Sequence, residues 1–156
     1  MSTYLFLGVD ARTVANSLLS LGNAEQIPID PMKMQKLVYL AHGWHLAFTG
    51  EPLITQVVEA WKYGPVISDL YSEFKEFGAS PITRFAHNST SGVLLPEKEA
   101  HIRNVWNTYK GFDAIQLSML THEPGSAWDR TIRTRISSII PNTWIAQEFL
   151  LRKQQG

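Results

Sequence analysis

Residues 30–50 of the chain read DPMKMQKLVYLAHGWHLAFTG, and this stretch decides the fold. Asp30 is a preferred helix N-cap residue, Pro31 suits the first helical position, and Gly50 is a common terminator, which predicts a helix over Pro31–Thr49. Its apolar positions recur at helical spacing: Met34, Leu37, Val38, Ala41, Trp44, His45 and Phe48. The opposite face is not polar either, since it carries Tyr39, Gly43 and Leu46. A helix that is apolar nearly all round is buried on both sides, so we expect it at the centre of the fold.

The segments around this helix predict further helices and a few strands. Helices are expected over residues 11–21, 67–77, 96–110, 113–122, 126–133 and 142–152. Asp10 would cap the first of them and Gly22 would end it. The apolar positions of the helix at 67–77 are Ile67, Leu70, Tyr71, Phe74 and Phe77. Extended structure is expected over residues 52–63, with two short strands at 82–85 and 93–95.

The fold class follows from these segments and from the length of the chain. We predict an α+β fold that is predominantly α-helical and carries a small antiparallel sheet. A chain of 156 residues is typical of one domain, so we expect a single domain over residues 1–156. Leu37, Trp44, Phe74 and Trp106 fall on helix stripes and are expected in the core.

The composition narrows the classes of function. The chain has 14 Lys plus Arg and 14 Asp plus Glu, whereas nucleic-acid-binding proteins usually carry excess positive charge. The absence of Cys excludes disulfides, thiolate zinc sites and cysteine nucleophiles. The amino-terminal residues do not have the pattern of a signal peptide, and no stretch of the sequence is apolar enough to span a membrane. We expect a soluble, cytoplasmic protein without a membrane partner.

The order of helix, strand, helix and hairpin invites comparison with a winged-helix DNA-binding domain. Only one helix separates the first predicted strand from the hairpin, whereas a winged helix needs two. That helix carries Asp69, Glu73 and Glu76 against Lys75 alone, so DNA phosphates would be repelled. We therefore do not expect a nucleic-acid partner.

His42 and His45 are the candidates for metal ligands, because a separation of three residues places them near each other on the central helix. Further ligands could come from Glu59, Asp113, His122 or Glu123. A lone H-x-x-H pattern is a weak signal, and hydrogen-bonded core positions are the preferred interpretation of both histidines. The sequence has neither a G-x-S-x-G elbow nor a glycine-rich phosphate loop. We predict no cofactor and no metal; an enzyme with a histidine-based metal site remains the alternative of a different class.

Three long motifs resemble those of one known family. Residues 32–47 (MKMQKLVYLAHGWHLA) are similar to the opening motif of the Panacea domain family, the SocA-like antitoxins that include phage-associated GepA-like proteins. Residues 59–66 (EAWKYGPV), followed by Leu70, Tyr71, Phe74, Lys75 and Gly78, resemble its second motif. Residues 117–129 (LSMLTHEPGSAWD) resemble its third. The resemblance extends from about residue 11 to residue 149, and three motifs in order are more specific than any short pattern above.

The resemblance implies an α-rich domain without a catalytic role. It implies an antitoxin, or a related phage or mobile-element protein, that neutralises a protein toxin encoded nearby. Family members pair with toxins from many unrelated families and act by direct binding; one branch delivers the toxin to a protease, which remains an alternative here. We expect no domain added to the Panacea core. The candidate partner-binding residues are Trp61, Lys62, Tyr63, Gly64 and Pro65, which stand where a predicted strand breaks into a turn. Aromatic residues near polar ones often anchor protein interfaces.

Overall fold

The computed structural model describes residues 8–87 and 94–156. Its helices are α1 (Ala11–Glu25), α2 (Pro31–Thr49), α3 (Ser68–Phe74), α4 (Pro96–Tyr109), α5 (Ala114–Thr121), α6 (Ala127–Thr134) and α7 (Asn142–Gln155), with one 3₁₀ turn (Lys75–Phe77) after α3. The strands are β1 (Val58–Trp61), β2 (Gly64–Val66) and β3 (Ile139–Ile140). The predicted α+β class is confirmed. Within the described ranges, no helix has the length and apolar character needed to cross a membrane.

Helix α2 is the centre of the fold, as its sequence predicts. It contacts α1, α3, α4, α5, α7 and β2, and every residue from 33 to 43 is buried. The Asp30 carboxylate accepts a hydrogen bond from the Lys33 N–H at 2.8 Å, and Gly50 ends the helix in the left-handed conformation, so both predicted ends are confirmed. A Cβ at Gly43 would collide with the ring of Phe149, so glycine lets α2 and α7 approach closely.

The sheet is small, and its strands have the order β2-β1-β3. Both strand pairs are antiparallel, with Trp61 opposite Gly64 and Val58 opposite Ile140. Lys62 and Tyr63 therefore form a two-residue turn between β1 and β2. Inside the sheet, alternate residues of β1 are buried, as expected for a strand with one face on the core.

Two side chains of α2 cover the outer edge of β2. The Gln35 amide donates to the carbonyl oxygen of Ile67 at 3.0 Å and accepts from the Ile67 N–H at 2.9 Å. Lys36 Nζ donates to the carbonyl oxygen of Pro65 at 2.9 Å. An open strand edge offers unpaired groups to another chain, and these bonds occupy those groups instead. They also hold the β1–β2 turn at a fixed distance from the central helix.

The predicted end of α1 is wrong. The helix continues past Gly22 to Glu25 and ends at Gln26, whose φ is 59°. Gly22 is buried, and a Cβ there would lie 2.8 Å from the carbonyl oxygen of Ile27. Glycine at this position allows the following loop to fold back on the helix, which is a packing role and not a stop signal.

The predicted strand at 82–85 is also wrong. This segment is irregular, and single contacts hold it: the Ile82 N–H donates to the carbonyl oxygen of Ile29 at 2.9 Å, and Arg84 pairs with Glu73 and Glu76. In the second predicted strand, residue 93 lies outside the described residues, and residues 94 and 95 are not in a strand. The third strand of the sheet is Ile139–Ile140, which the sequence reading missed.

Three of the four predicted core residues are fully buried. Leu37, Phe74 and Trp106 have at most 1% of their surface exposed. Trp44 is only half-buried, because its indole lies at the side of α2 where α4 and α7 meet the solvent. Its Nε1 donates to the hydroxyl of Tyr109 at 2.9 Å, and its ring packs edge-on against Phe149 with centroids 5.1 Å apart.

Candidate functional site

The five residues predicted to contact a partner lie at the β1–β2 turn, where the sheet, α3 and the start of α2 come together. Trp61 is half-buried, and its ring packs edge-on against Tyr71 of α3 with centroids 5.1 Å apart. The carbonyl oxygen of Trp61 accepts a hydrogen bond from Trp128 Nε1 at 2.6 Å. Helices α3 and α6 therefore fix Trp61 from two sides.

Lys62 and Tyr63 form the exposed tip of the turn. The Tyr63 side chain is 63% exposed, and Lys62 Nζ lies 5.4 Å from the centre of its ring. The backbone beneath is fixed, since Ser118 of α5 donates from its hydroxyl to the carbonyl oxygen of Tyr63 at 2.9 Å. An aromatic ring held on an anchored backbone can contact another protein at a low entropic cost.

Gly64 and Pro65 are buried under this tip and fix its shape. Gly64 has a φ of 120°, which L-residues with a side chain rarely adopt, and a Cβ there would lie 3.1 Å from Lys36 Nζ. Lys36 is 2% exposed, and burial lowers its pKa to about 8. Of the five predicted residues, the two buried ones position the turn, while Trp61, Lys62 and Tyr63 offer side chains to the surface.

A cleft of about 480 Å³ opens between the turn, α3 and the first turn of α2. Its walls include Met32, Val66, Leu70 and Tyr71, together with the ring of Trp61. A cleft of this volume is in the range of specific binding sites in proteins. Tyr71 is 49% exposed and Met32 is 40% exposed, which leaves both side chains available to a partner.

Lysines supply the charged groups of this cleft. Lys62 and Lys75 lie at its rim and are exposed, and Lys36 lies below it. None of the three forms an ion pair with a residue in the described ranges. The cleft therefore combines apolar walls with a positively charged rim.

The two candidate metal ligands have other bonding partners. His42 Nδ1 accepts from the Leu53 N–H at 3.3 Å, and its Nε2 lies 3.0 Å from the Asn142 side-chain oxygen. His45 Nδ1 lies 2.7 Å from the carbonyl oxygen of Glu51. Burial lowers the pKa of both histidines, that of His42 to about 4. In the part of the chain that the structure describes, no three His, Cys, Asp or Glu residues are grouped as a metal site requires.

The family model described as "Antitoxin SocA-like, Panacea domain" matches residues 34–129. The chain belongs to this Panacea domain family. It is 38% identical over 130 residues to the protein named Antitoxin SocA of Caulobacter vibrioides (strain NA1000 / CB15N), an alignment that covers 78% of this chain and 69% of that protein. No solved structure gives a significant match.

The Panacea match, residues 34–129, spans the chain from α2 to the first turn of α6. It includes the whole β1–β2 turn and most of the cleft. In this Panacea domain the first motif forms the buried central helix, and the second forms the turn above it. The third motif supplies Ser118 and Trp128, which hold the turn through its carbonyl oxygens. The three motifs thus meet at one place in the fold.

Sequence reasoning missed three residues whose exposed side chains line the cleft of this Panacea domain. Neither Met32 nor Lys75 belongs to a sequence pattern that by itself indicates a binding site, although both fall in the quoted motifs. Tyr71 belongs to the apolar stripe of its helix and so resembles a core residue, yet half of its surface is exposed. Part of this surface could have been predicted from the sequence, because Tyr71, Lys75 and Gly78 recur at helical spacing after the EAWKYGPV motif.

Proposed function

We propose that this protein is an antitoxin that neutralises a protein toxin by direct, stoichiometric binding in the cytoplasm, where both proteins are synthesised. The observation that carries the proposal is the similarity to Antitoxin SocA over 78% of the chain. The toxin would be encoded by a neighbouring gene, as the family resemblance implies. The action is proposed to be non-enzymatic.

The interior supports a binding role over a catalytic one. Among the described residues, most buried polar side chains form hydrogen bonds within the fold, and Thr13 Oγ1 is an exception. The hydroxyl of Tyr39 donates to Glu148, whose carboxylate also accepts from the Ala127 N–H at 2.8 Å. Gln35 and Lys36 bind the backbone of β2, and His42 binds Leu53 and Asn142. Side chains used in this way stabilise the fold.

The surface around the β1–β2 turn supports direct binding. Trp61 and Tyr63 are aromatic, and the backbone that carries them is hydrogen-bonded to α5 and α6. Protein interfaces usually depend on a few such aromatic or cationic anchors. We propose that Trp61, Lys62 and Tyr63 contact the toxin, and that Gly64 and Pro65 hold them in position.

Co-expression with the neighbouring gene tests the proposal. If that gene encodes the toxin, its induction should arrest growth, this protein should restore growth, and the two proteins should co-purify in a fixed ratio. Neutralisation by sequestration consumes one antitoxin per binding site, so rescue should fail once toxin is in excess. Binding at cellular concentrations calls for a Kd of about 1 nM, equivalent to roughly −12 kcal/mol.

The dose dependence separates binding from turnover. Rescue by this protein at levels far below those of the toxin would contradict sequestration. In that case a protease-deficient strain distinguishes the two remaining mechanisms, since delivery to a protease would fail there and catalysis would continue. A harmless neighbouring protein that does not co-purify would contradict the antitoxin proposal itself.

A further inference from the structure

The cleft beside the β1–β2 turn combines apolar walls with exposed lysines at its rim, and this combination indicates the kind of segment that it binds. We propose that it binds an extended segment of the toxin in which an apolar side chain is flanked by Asp or Glu residues. The apolar side chain enters the cleft, and the carboxylates meet Lys62 and Lys75 at the rim. This inference rests on the proposed antitoxin function and adds the chemistry of the segment that is recognised.

The walls of the cleft account for the apolar side chain. Met32, Tyr71 and Trp61 present apolar surface around a volume of about 480 Å³, with Val66 and Leu70 behind them. This volume accepts a large side chain such as Leu, Phe or Trp together with part of the neighbouring backbone. Removing these walls from water favours binding, as does the packing of an aromatic group against Trp61 and Tyr71.

The rim accounts for the carboxylates. Lys62 and Lys75 are exposed and form no ion pair with any residue that the structure describes. The neighbouring acids of α3 have other partners: Asp69 accepts from Gln56, and Glu73 pairs with Arg84. Two exposed cations beside an apolar cleft complement an acidic segment, and they disfavour a basic one by like-charge repulsion.

Aromatic groups beside lysines are also found in proteins that bind single-stranded nucleic acid. Two features favour a protein segment here. The apolar groups form a cleft, whereas successive bases stack on open aromatic surfaces along a basic groove. The chain as a whole is neutral, so it lacks the excess of positive charge by which proteins usually bind a phosphate backbone.

Selection of peptides from a randomised display library tests the proposal without knowledge of the toxin. The immobilised full chain is the target, and the double variant Lys62→Glu/Lys75→Glu is used for counter-selection. We expect enriched peptides with an apolar residue flanked by Asp or Glu. Enrichment of basic or uncharged flanks, or no enrichment above the counter-selected background, would overturn the proposal. Binding of an oligothymidylate in place of acidic peptides would also overturn it.

The contribution of Lys62 and Lys75 to the affinity is measured by fluorescence anisotropy with a labelled peptide from the selection. Reversal of both lysines should weaken binding roughly ten-fold or more, since exposed ion pairs each contribute a few-fold and reversal adds repulsion. The matched control is Lys153→Glu, an exposed lysine on α7 that does not line the cleft, which should change the Kd less than about two-fold. Salt at roughly 1 M should weaken binding to the unsubstituted chain, because the screening length falls to about 3 Å.

A charge-swapped peptide keeps the test informative if the double variant is less stable. Replacing its Asp and Glu residues with Lys should restore binding to Lys62→Glu/Lys75→Glu and abolish binding to the unsubstituted chain. Failure of this exchange, with circular dichroism unchanged, would overturn the role of the two lysines. The antitoxin function is judged separately, by growth rescue. If the unsubstituted chain and the double variant rescue equally well, the cleft proposal fails and the antitoxin proposal stands.

Discussion

The ammonium nitrogen of Lys36 lies 2.9 Å from the carbonyl oxygen of Pro65, and the lysine side chain is 2% exposed. This bond joins the central helix to the turn that carries Trp61 and Tyr63. The lysine has no carboxylate partner among the described residues, so the fold maintains a buried cation at this position. Burial of a charge without an ion pair is costly, and that cost depends on pH.

The first prediction concerns the pH dependence of Lys36→Met. Burial lowers the pKa of Lys36 from 10.5 to about 8, so the folded state binds fewer protons than the unfolded state between these values. The unsubstituted protein should therefore gain stability from this lysine as the pH rises through that window, by roughly 3 kcal/mol in total. The Met variant lacks this gain. In urea unfolding from pH 7 to 10.5, the unfolding free energy of the variant should become progressively lower than that of the unsubstituted protein.

At neutral pH the same substitution should have a small effect. It leaves the buried carbonyl of Pro65 without its donor, which costs roughly 1–3 kcal/mol, but it also removes a buried charge of similar cost. Lys153→Met is the matched control, because Lys153 is exposed on α7. Its unfolding free energy should follow that of the unsubstituted protein across the pH range. If the unfolding free energy of Lys36→Met also follows that of the unsubstituted protein at every pH, Lys36 is not a desolvated cation.

The second prediction concerns His42, whose Nδ1 accepts the hydrogen bond from the Leu53 N–H. Protonation of Nδ1 would break this bond, and burial lowers the pKa of His42 from 6.5 to about 4. Because the folded pKa is depressed, this residue contributes stability above pH 6.5 that is lost as the pH falls towards 4, by roughly 3 kcal/mol. His42→Gln should cost roughly 1–3 kcal/mol at pH 7 and reduce the loss of stability in acid.

Two further histidines with lowered pKa values, His45 and His101, also contribute to the acid sensitivity of the protein. The informative quantity is therefore the difference between His42→Gln and the unsubstituted protein at each pH, measured by urea unfolding. His87→Gln serves as the control, since His87 is exposed. A difference that is constant from pH 7 to 4 would contradict a neutral, hydrogen-bonded His42.

The third prediction concerns the contact between Gly43 and Phe149. A Cβ at position 43 would collide with the ring, so Gly43→Ala should destabilise the protein by roughly 1–3 kcal/mol or more, measured by denaturant unfolding. Phe149→Leu should relieve part of this cost, and the double variant should be more stable than the sum of the single changes predicts. Gly111→Ala is the control, because a Cβ there meets no atom within 4 Å. Equal effects at positions 43 and 111 would exclude close packing at this crossing.

The central helix could be predicted from sequence because its signals are local. Asp30, Pro31 and Gly50 mark its ends within one turn, and most positions between them are apolar. Lys33 and Lys36 are exceptions, because the spacing of apolar residues does not explain why two lysines are buried. Their ammonium groups reach the carbonyl oxygens of Lys110 and Pro65, which are far away in sequence. Only the folded structure reveals these partners.

The third strand and the cleft could not be predicted, for related reasons. Ile139 and Ile140 form a strand of two residues between Ser138 and Pro141, too short for any alternating pattern to be recognised. They are extended because β1 lies opposite them. The cleft lies between α3 and the β1–β2 turn, and Tyr71 is half-exposed there although its spacing is that of a core residue. Tertiary packing decides both features.

The last prediction concerns Tyr63, the exposed ring at the tip of the turn. Tyr63→Ala should leave the fold intact, because the side chain is 63% exposed and only its backbone oxygen is bound by Ser118. If the ring anchors the toxin, the truncation should weaken the complex by roughly 2 kcal/mol or more, about 30-fold in Kd. Ile136→Ala removes a side chain that is 88% exposed and lies outside the cleft, and it should leave growth rescue and affinity unchanged. Equal affinities of the two variants, with circular dichroism unaltered, would place the toxin-binding surface elsewhere on the molecule.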